Sequence, residues 1–369
     1  MIVRAGARVS RHSRPVRRRR YANAAHAASR IALIAAAATV LCACGSGDRP
    51  SAEPQPIRSP QTIGRLGNSP GAFAYPRGID HDSDALWVVD KSARVQRIDP
   101  KTGECLAWFV MPQSEMGKPV GVTVGPGPDG DEVLYIPDTH YSRVLVVRPP
   151  RTSPGGKPSP AEPELIASFG EYGTEDGQFI YPTDVAVLLS DDGTRVERIY
   201  VSEYGGNDRV SVFDSRYRFL FSFGRFGMGD DPGEIQFQRP QSIALDAAAG
   251  VLYVVDSRNH RIGRFSLDGE LLGWIGSPRE AGRNPGSFKY PYGISLLGDG
   301  TAMIVEYGNN RVQRVDLTTG ESLGVWGQPG RGEGELAAPW AVTTMSGRTF
   351  ILDSGNNRIV AFSTPRRRG

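Results

Sequence analysis

The chain ends on DSGNNRIVAFSTPRRRG (353–369), and the opening of that stretch recurs upstream as EYGNNR (306–311) and DSRNHR (256–261). Each upstream copy runs on into a second apolar stretch that closes in glycine, LLGWIG (271–276) and LGVWG (323–327). The last copy has no such continuation. Its counterpart lies at the other end of the chain, where TIGRLGNSPGAFAYP (62–76) matches the close of a repeat in LGWIGSPREAGRNPGSFKYP (272–291). The N-terminal segment is therefore expected to supply the missing strand of the last unit, which closes a ring and removes its exposed edges.

Six segments share one grammar: a proline, an apolar strand, a second strand ending in an acid, a polar turn, then an arginine and a third strand. The prolines are Pro76, Pro119, Pro182, Pro240, Pro291 and Pro339; the acids are Asp90, Asp138, Glu203, Asp256, Glu306 and Asp353; the arginines are Arg94, Arg143, Arg209, Arg261, Arg311 and Arg358. Four short strands per unit, typified by PYGISLL (291–297), LYVVD (252–256), RVQRVD (311–316) and FLFSFG (219–224), predict an all-β, six-bladed β-propeller. Glycine and asparagine in the turn between strands two and three tolerate the left-handed backbone that tight hairpins need. The 45 Gly and 28 Pro of the 369 residues agree with a chain rich in turns.

These repeats resemble the NHL family, over residues 62–362. DSGNNR, EYGNNR and DSRNHR carry the resemblance most closely, while DKSAR (90–94) and DTHYSR (138–143) are more degenerate. The resemblance implies a six-bladed propeller. It also brings in the peptidyl-amidoglycolate lyases, whose repeats are similar and which hold zinc through three histidines near the axis. Beyond the N-terminal segment this chain has only His81, His140 and His260. The latter two fall in turns of blades two and four, and His81 follows a first strand toward its other end. Their spacing does not require a metal site; no metal and no cofactor are expected. A GxSxG elbow is absent, and Cys105 in the apolar ECLAWF reads as a buried small hydrophobe.

Residues 1–43 hold nine arginines and no acid and close on the apolar run IALIAAAATVLCA (31–43), the pattern of a secretory signal peptide. The junction LCAC (41–44) resembles the bacterial lipobox, and the resemblance makes Cys44 the lipidated N-terminus of the mature chain, although Cys42 departs from the usual small residue. An acylated Cys44 leaves Cys105 without a disulfide partner. Residues 44–61 read as a flexible tether, RPPRTSPGGKPSPAEPE (148–164) as a solvated insertion and 363–369 as a basic tail. The expected location is the bacterial cell envelope, on a membrane and facing the periplasm or exterior. The net charge of +3 becomes about −6 without the first 43 residues, 34 basic against 40 acidic. Such a balance argues against a nucleic-acid partner.

The acid–arginine pairs recur in every unit, as a shared scaffold requirement would, so they are expected to tie strand two to strand three. The positions where the units disagree carry more information. The residue after each proline is Arg77, Val120, Thr183, Gln241, Tyr292 or Trp340, and the turns on the same face add Lys91, His140, Tyr141, Tyr204, Arg258, His260 and Tyr307. One place further on, Asp184 stands where the other units have Gly78, Gly121, Ser242, Gly293 and Ala341. Two readings of it stand, a loop-capping carboxylate and a ligand contact. Arg77, Lys91, His140, Thr183, Asp184, Tyr204, Gln241, Tyr292, Tyr307 and Trp340 form the candidate ligand-binding set. Mixed polar and aromatic surfaces suit a protein, peptide or glycan partner of the envelope. Non-catalytic binding is the expected function; the alternative is a propeller enzyme, a metal-dependent lyase or lactone hydrolase.

Overall fold

The computed structural model describes residues 53–366 apart from 151–159, 161, 230–233 and 278–279. The expected signal segment, Cys44 and Cys42 lie outside the described residues, as do the centre of the insertion and the last three residues of the tail. Among the described residues no helix is long and apolar enough to cross a membrane.

Six antiparallel four-stranded sheets follow one another along the chain. Their strands, from the channel outward, are Pro76–His81, Leu86–Asp90, Arg94–Ile98 and Cys105–Val110 in blade 1, then Thr123–Pro126, Glu132–Asp138, Arg143–Arg148 and Glu164–Phe169 in blade 2. Blade 3 holds Tyr181–Leu189, Val196–Tyr204, Arg209–Asp214 and Phe219–Phe223; blade 4 holds Pro240–Asp246, Val251–Asp256, Arg261–Ser266 and Leu271–Ile275. Blade 5 holds Pro291–Leu296, Thr301–Glu306, Arg311–Asp316 and Ser322–Trp326. Blade 6 takes Val342–Met345, Arg348–Asp353 and Arg358–Ser363 from the end of the chain and Gln61–Ile63 from its start. The closing pair is antiparallel, with Gln61 opposite Ala361 and Ile63 opposite Ile359. The protein is a six-bladed propeller, closed as the sequence pattern required.

The second strands are the most buried, LWVVD (86–90) at every position, because each blade packs its two faces against two neighbours. Six apolar clusters result, one between each successive pair of blades. The cluster between blades 6 and 1, for example, joins Leu352 and Ile359 to Leu86 and Val88. The glycine that ends most outer strands has a left-handed backbone: Gly64, Gly170, Gly224, Gly276 and Gly327 have φ between 83° and 94°. At four of them a side chain would collide with the buried ring of Phe73, Phe179, Phe237 or Phe288.

Each acid–arginine pair is an ion pair at 2.5–3.0 Å. The arginine does more than join strands two and three: it reaches the connector that enters its blade. Arg94 donates to the carbonyls of Gly67 and Ala72, Arg209 to Glu175 and Gln178, Arg261 to Gln236, Arg311 to Ser287, and Arg358 to Gly332 and Glu335. From the same connector a backbone N–H donates to the acid, as Ala74 does to Asp90 and Ile180 to Glu203. The turn asparagines complete the device. Asn309 Nδ2 donates to Glu306 and to Gly282 O, while Asn310 Oδ1 accepts the backbone N–H of Ala338 in the next blade. Blade 2 is the exception. Its connector, 111–119, lacks the glycine–aromatic pattern, and Asp138 Oδ1 and Arg143 Nη2 are buried without partners.

Part of the expected tether is docked. Gln55 exchanges backbone hydrogen bonds with Val325 and Gly327 beside the outer strand of blade 5, and Ile57 is buried in the cluster between blades 5 and 6. One buried aliphatic side chain and a pair of backbone hydrogen bonds seat this proline-rich stretch.

Candidate functional site at the channel mouth

The six inner strands enclose an axial channel of about 330 Å³, lined from Arg77 at one end to His81 toward the other. Small residues follow the prolines at the second place because the blades converge there; a side chain on Gly78 would run into the backbone of Gly121. Asp184 does fit. Its Oδ2 accepts Ser242 Oγ at 2.7 Å and the N–H of Ile243 at 3.0 Å, which ties blade 3 to blade 4. Asp80, two places deeper in blade 1, accepts the N–H of Val124 from blade 2 at 2.8 Å. Burial pushes the Asp184 carboxyl up to about 7, against the hydrogen bonds that favour its charge, and pushes Asp80 up as well. Both keep part of their surface open to the channel. The wall below the mouth is thus acidic.

The mouth itself is built of rings and guanidiniums. Its apolar centre is a seventh cluster, in which Val120, Tyr292 and Trp340 are joined by Tyr75, Tyr290, Tyr307 and Ala341. It draws on blades 1, 2, 5 and 6, across the axis rather than between neighbours. Tyr292 stacks on Tyr307 at 4.7 Å and meets Trp340 edge-on at 4.9 Å, and Tyr75 meets Trp340 at 5.7 Å. Arg77 lies over Trp340 at 4.9 Å. Arg239 lies over Tyr204 at 4.8 Å and Tyr292 at 5.5 Å. Tyr204 continues to Tyr181 at 5.2 Å, and Tyr181 to His140 at 5.9 Å. A chain of ring and cation contacts therefore runs from His140 in blade 2 through blades 3, 4, 5 and 6 to Arg77 in blade 1.

Of the ten candidate residues, that arc gathers six: Arg77, His140, Tyr204, Tyr292, Tyr307 and Trp340. Lys91 is exposed in the turn of blade 1. Thr183 is wholly buried, its hydroxyl bonded to Ser202 and to Pro240 O of the next blade, so it serves the scaffold. Gln241 is buried and accepts Arg239 Nε at 3.0 Å. His260 is an interblade fastener, since its Nδ1 accepts the N–H of Tyr290 at 3.1 Å; burial holds its pKa down. Cys105 is buried and free, and burial raises its pKa. Among the described residues no group of three or more His, Cys, Asp or Glu side chains is gathered as metal ligands would be.

The links missing from the sequence reading, Tyr75, Tyr181 and Arg239, all stand immediately before the proline. The same comparison of units one place earlier, over Tyr75, Lys118, Tyr181, Arg239, Tyr290 and Ala338, would have found them. Tyr75 and Arg239 have φ of 55° and 59°, an unusual conformation for side-chain-bearing residues, stabilised here because the preceding turn accepts their N–H groups at Asn357 Oδ1 and Asp208 Oδ1.

Comparison with known proteins agrees with this architecture. The NHL repeat model matches residues 237–265. NHL repeat-containing protein 3 of Mus musculus is 28% identical over 167 residues, 42% of this chain and 46% of that protein, so the chain spans about half the length of the curated relative it matches. A structural-genomics protein of unknown function from Bacteroides thetaiotaomicron superposes with a TM-score of 0.55 at 17% identity, covering 82% of this chain and 75% of the other. A streptogramin B lyase superposes with a TM-score of 0.50 at 16% identity, covering 83% and 87%, a likeness of fold. The chain carries a match to the NHL repeat at residues 237–265 and is folded as a six-bladed β-propeller.

Proposed function

We propose that this protein is a non-catalytic recognition propeller of the bacterial cell envelope, held to a membrane by a lipid on Cys44, that takes a protein, peptide or glycan partner on the face where the channel mouth opens. The observation that carries the reading is the arc of rings and guanidiniums around that mouth. The six other clusters each lie between two successive blades, whereas this seventh gathers rings at the mouth. Aromatic and arginine side chains are the residues that anchor partners. Exposed Lys91, His140, Tyr181 and Arg258 surround the cluster and give it a polar rim.

Because Tyr292 and Trp340 are buried, truncating them would disturb packing, and the exposed rim offers the cleaner test. Combined Lys91→Glu, His140→Ala and Arg258→Glu is expected to leave the melting temperature unchanged and to abolish retention of partners from a solubilised envelope fraction. Unchanged retention would overturn the binding-face reading. Separately, Cys44→Ala is expected to move the protein from the membrane pellet to the soluble fraction; persistence in the pellet would overturn the anchor.

A further inference from the structure

We propose that the channel mouth binds an oxyanion, a carboxylate or phosphate group of its ligand, between Arg77 and Arg239. The inference deepens the binding-face reading and rests on it. In the six clamps every arginine faces a carboxylate within 3.0 Å. At the mouth, among the described residues, neither Arg77 nor Arg239 has a carboxylate within ion-pair distance. Two partly buried cations in one ring of aromatic groups repel each other, and an anion between them would convert that cost into attraction. Burial and the Arg239 charge are both among the influences that hold the Arg77 pKa down.

The remaining groups favour the same ligand. Gln241 is 3% exposed and uses its Oε1 to accept Arg239 Nε, so its Nε2 remains a donor without an acceptor. Arg77 Nε and Trp340 Nε1 are buried with no hydrogen-bond partner. The buried side-chain atoms left unpartnered at this point, among the described residues, are therefore donors. Both guanidiniums already rest over rings, so less freedom remains to be lost when an anion arrives. Below them the channel wall offers Asp80 and Asp184, which in their ionised form repel an anion, and no basic side chain except His81.

The test uses the purified full chain with sulfate, inorganic phosphate, acetate and benzoate as probes, in chloride at constant ionic strength. Binding is read by calorimetry and by tryptophan fluorescence, since Trp340 lies under Arg77. At least one probe is expected to bind saturably at one site. Arg77→Gln and Arg239→Gln should each weaken it by about tenfold or more, whereas Lys101→Gln on a distant turn should not. If Arg77→Gln fails to fold, Arg77→Lys keeps the charge but loses the fork, and is expected to weaken binding by a smaller factor. Preference for sulfate and phosphate identifies a tetrahedral anion; preference for acetate and benzoate identifies a carboxylate. No saturable probe, or equal affinity in the arginine variants and the parent, overturns the proposal. Anion binding combined with unchanged partner retention in the rim variant would sink the binding-face reading alone. Lost retention without any anion binding would sink this inference alone.

Discussion

Arg261 and Arg77 are the same residue in two different circumstances. Arg261 is 3% exposed, pairs with Asp256 at 2.9 Å, donates to Gln236 O at 2.7 Å and lies on Trp274 at 3.5 Å. Arg77 lies on Trp340 and, among the described residues, has no carboxylate within ion-pair distance. The first belongs to a position that all six units fill alike, and each of the six meets a carboxylate of its own blade. The second belongs to a position that the units fill with six different residues, and among the described residues its Nε has no hydrogen-bond partner. Repetition marks what the fold needs. Divergence, together with an unsatisfied donor, marks what the fold leaves available.

The comparison breaks most visibly at the clamp. Arg261→Ala strands the buried Asp256 carboxylate, already pushed up to about 6 by burial, and should cost about 3–5 kcal/mol in a denaturant titration. A loss below about 1 kcal/mol would show that the clamps are not what holds connector to turn. Ring closure ranks next. Ile63 is 2% exposed in the cluster between blades 6 and 1, so Ile63→Ala should cost about 2–4 kcal/mol. Unaltered stability would mean that the closing strand is dispensable.

How much of this was legible beforehand follows from the same distinction. The blades, the closing strand and the acid–arginine pairs were readable because six copies of each lie in one chain. The arginine's reach to the connector was not, since backbone carbonyls leave no mark on residue identity. Tyr75, Tyr181 and Arg239 escaped because the comparison of units began at the proline, one residue too late. Thr183 was taken for a rim residue on its position alone, yet its hydroxyl turns to Pro240 O and joins two blades. Asp184 illustrates both readings at once: it fastens blade 3 to blade 4, and it keeps a face on the channel.

That double position makes Asp184 sensitive to pH. Its folded pKa of about 7 lies above the ordinary value near 3.9, so between those limits the folded protein holds more protons than the unfolded chain. The contribution of Asp184 to stability is therefore most favourable at low pH, declines as pH rises toward 7, and is level above it. Glu203, raised to about 7, acts in the same direction. Asp184→Asn keeps an acceptor for Ser242 and Ile243 without the charge, and gives up only the acceptor for the adjacent Val185 N–H. It should gain about 1–2 kcal/mol over the parent at pH 8 and nothing near pH 4, reduced from the full shift because the channel admits solvent. Parallel stability–pH curves for the two proteins would show that the channel does not hold this charge at a cost.

The smallest expected effect is the sharpest separation of the two arginines. Removing Arg77 forfeits its ring contact with Trp340, worth about 0.5–1 kcal/mol, but also relieves the repulsion with Arg239 and the desolvation of a cation that no acid balances. These contributions oppose each other, so Arg77→Gln should change the unfolding free energy by less than about 1 kcal/mol in either direction. Measured beside Arg261→Ala under the same conditions, it compares a guanidinium that the scaffold requires with one that it carries. A loss of several kcal/mol for Arg77→Gln would place Arg77 with the clamps and remove the reason to regard the mouth as a site. A near-zero change, together with the loss of anion binding, is what a residue retained for an external ligand would give.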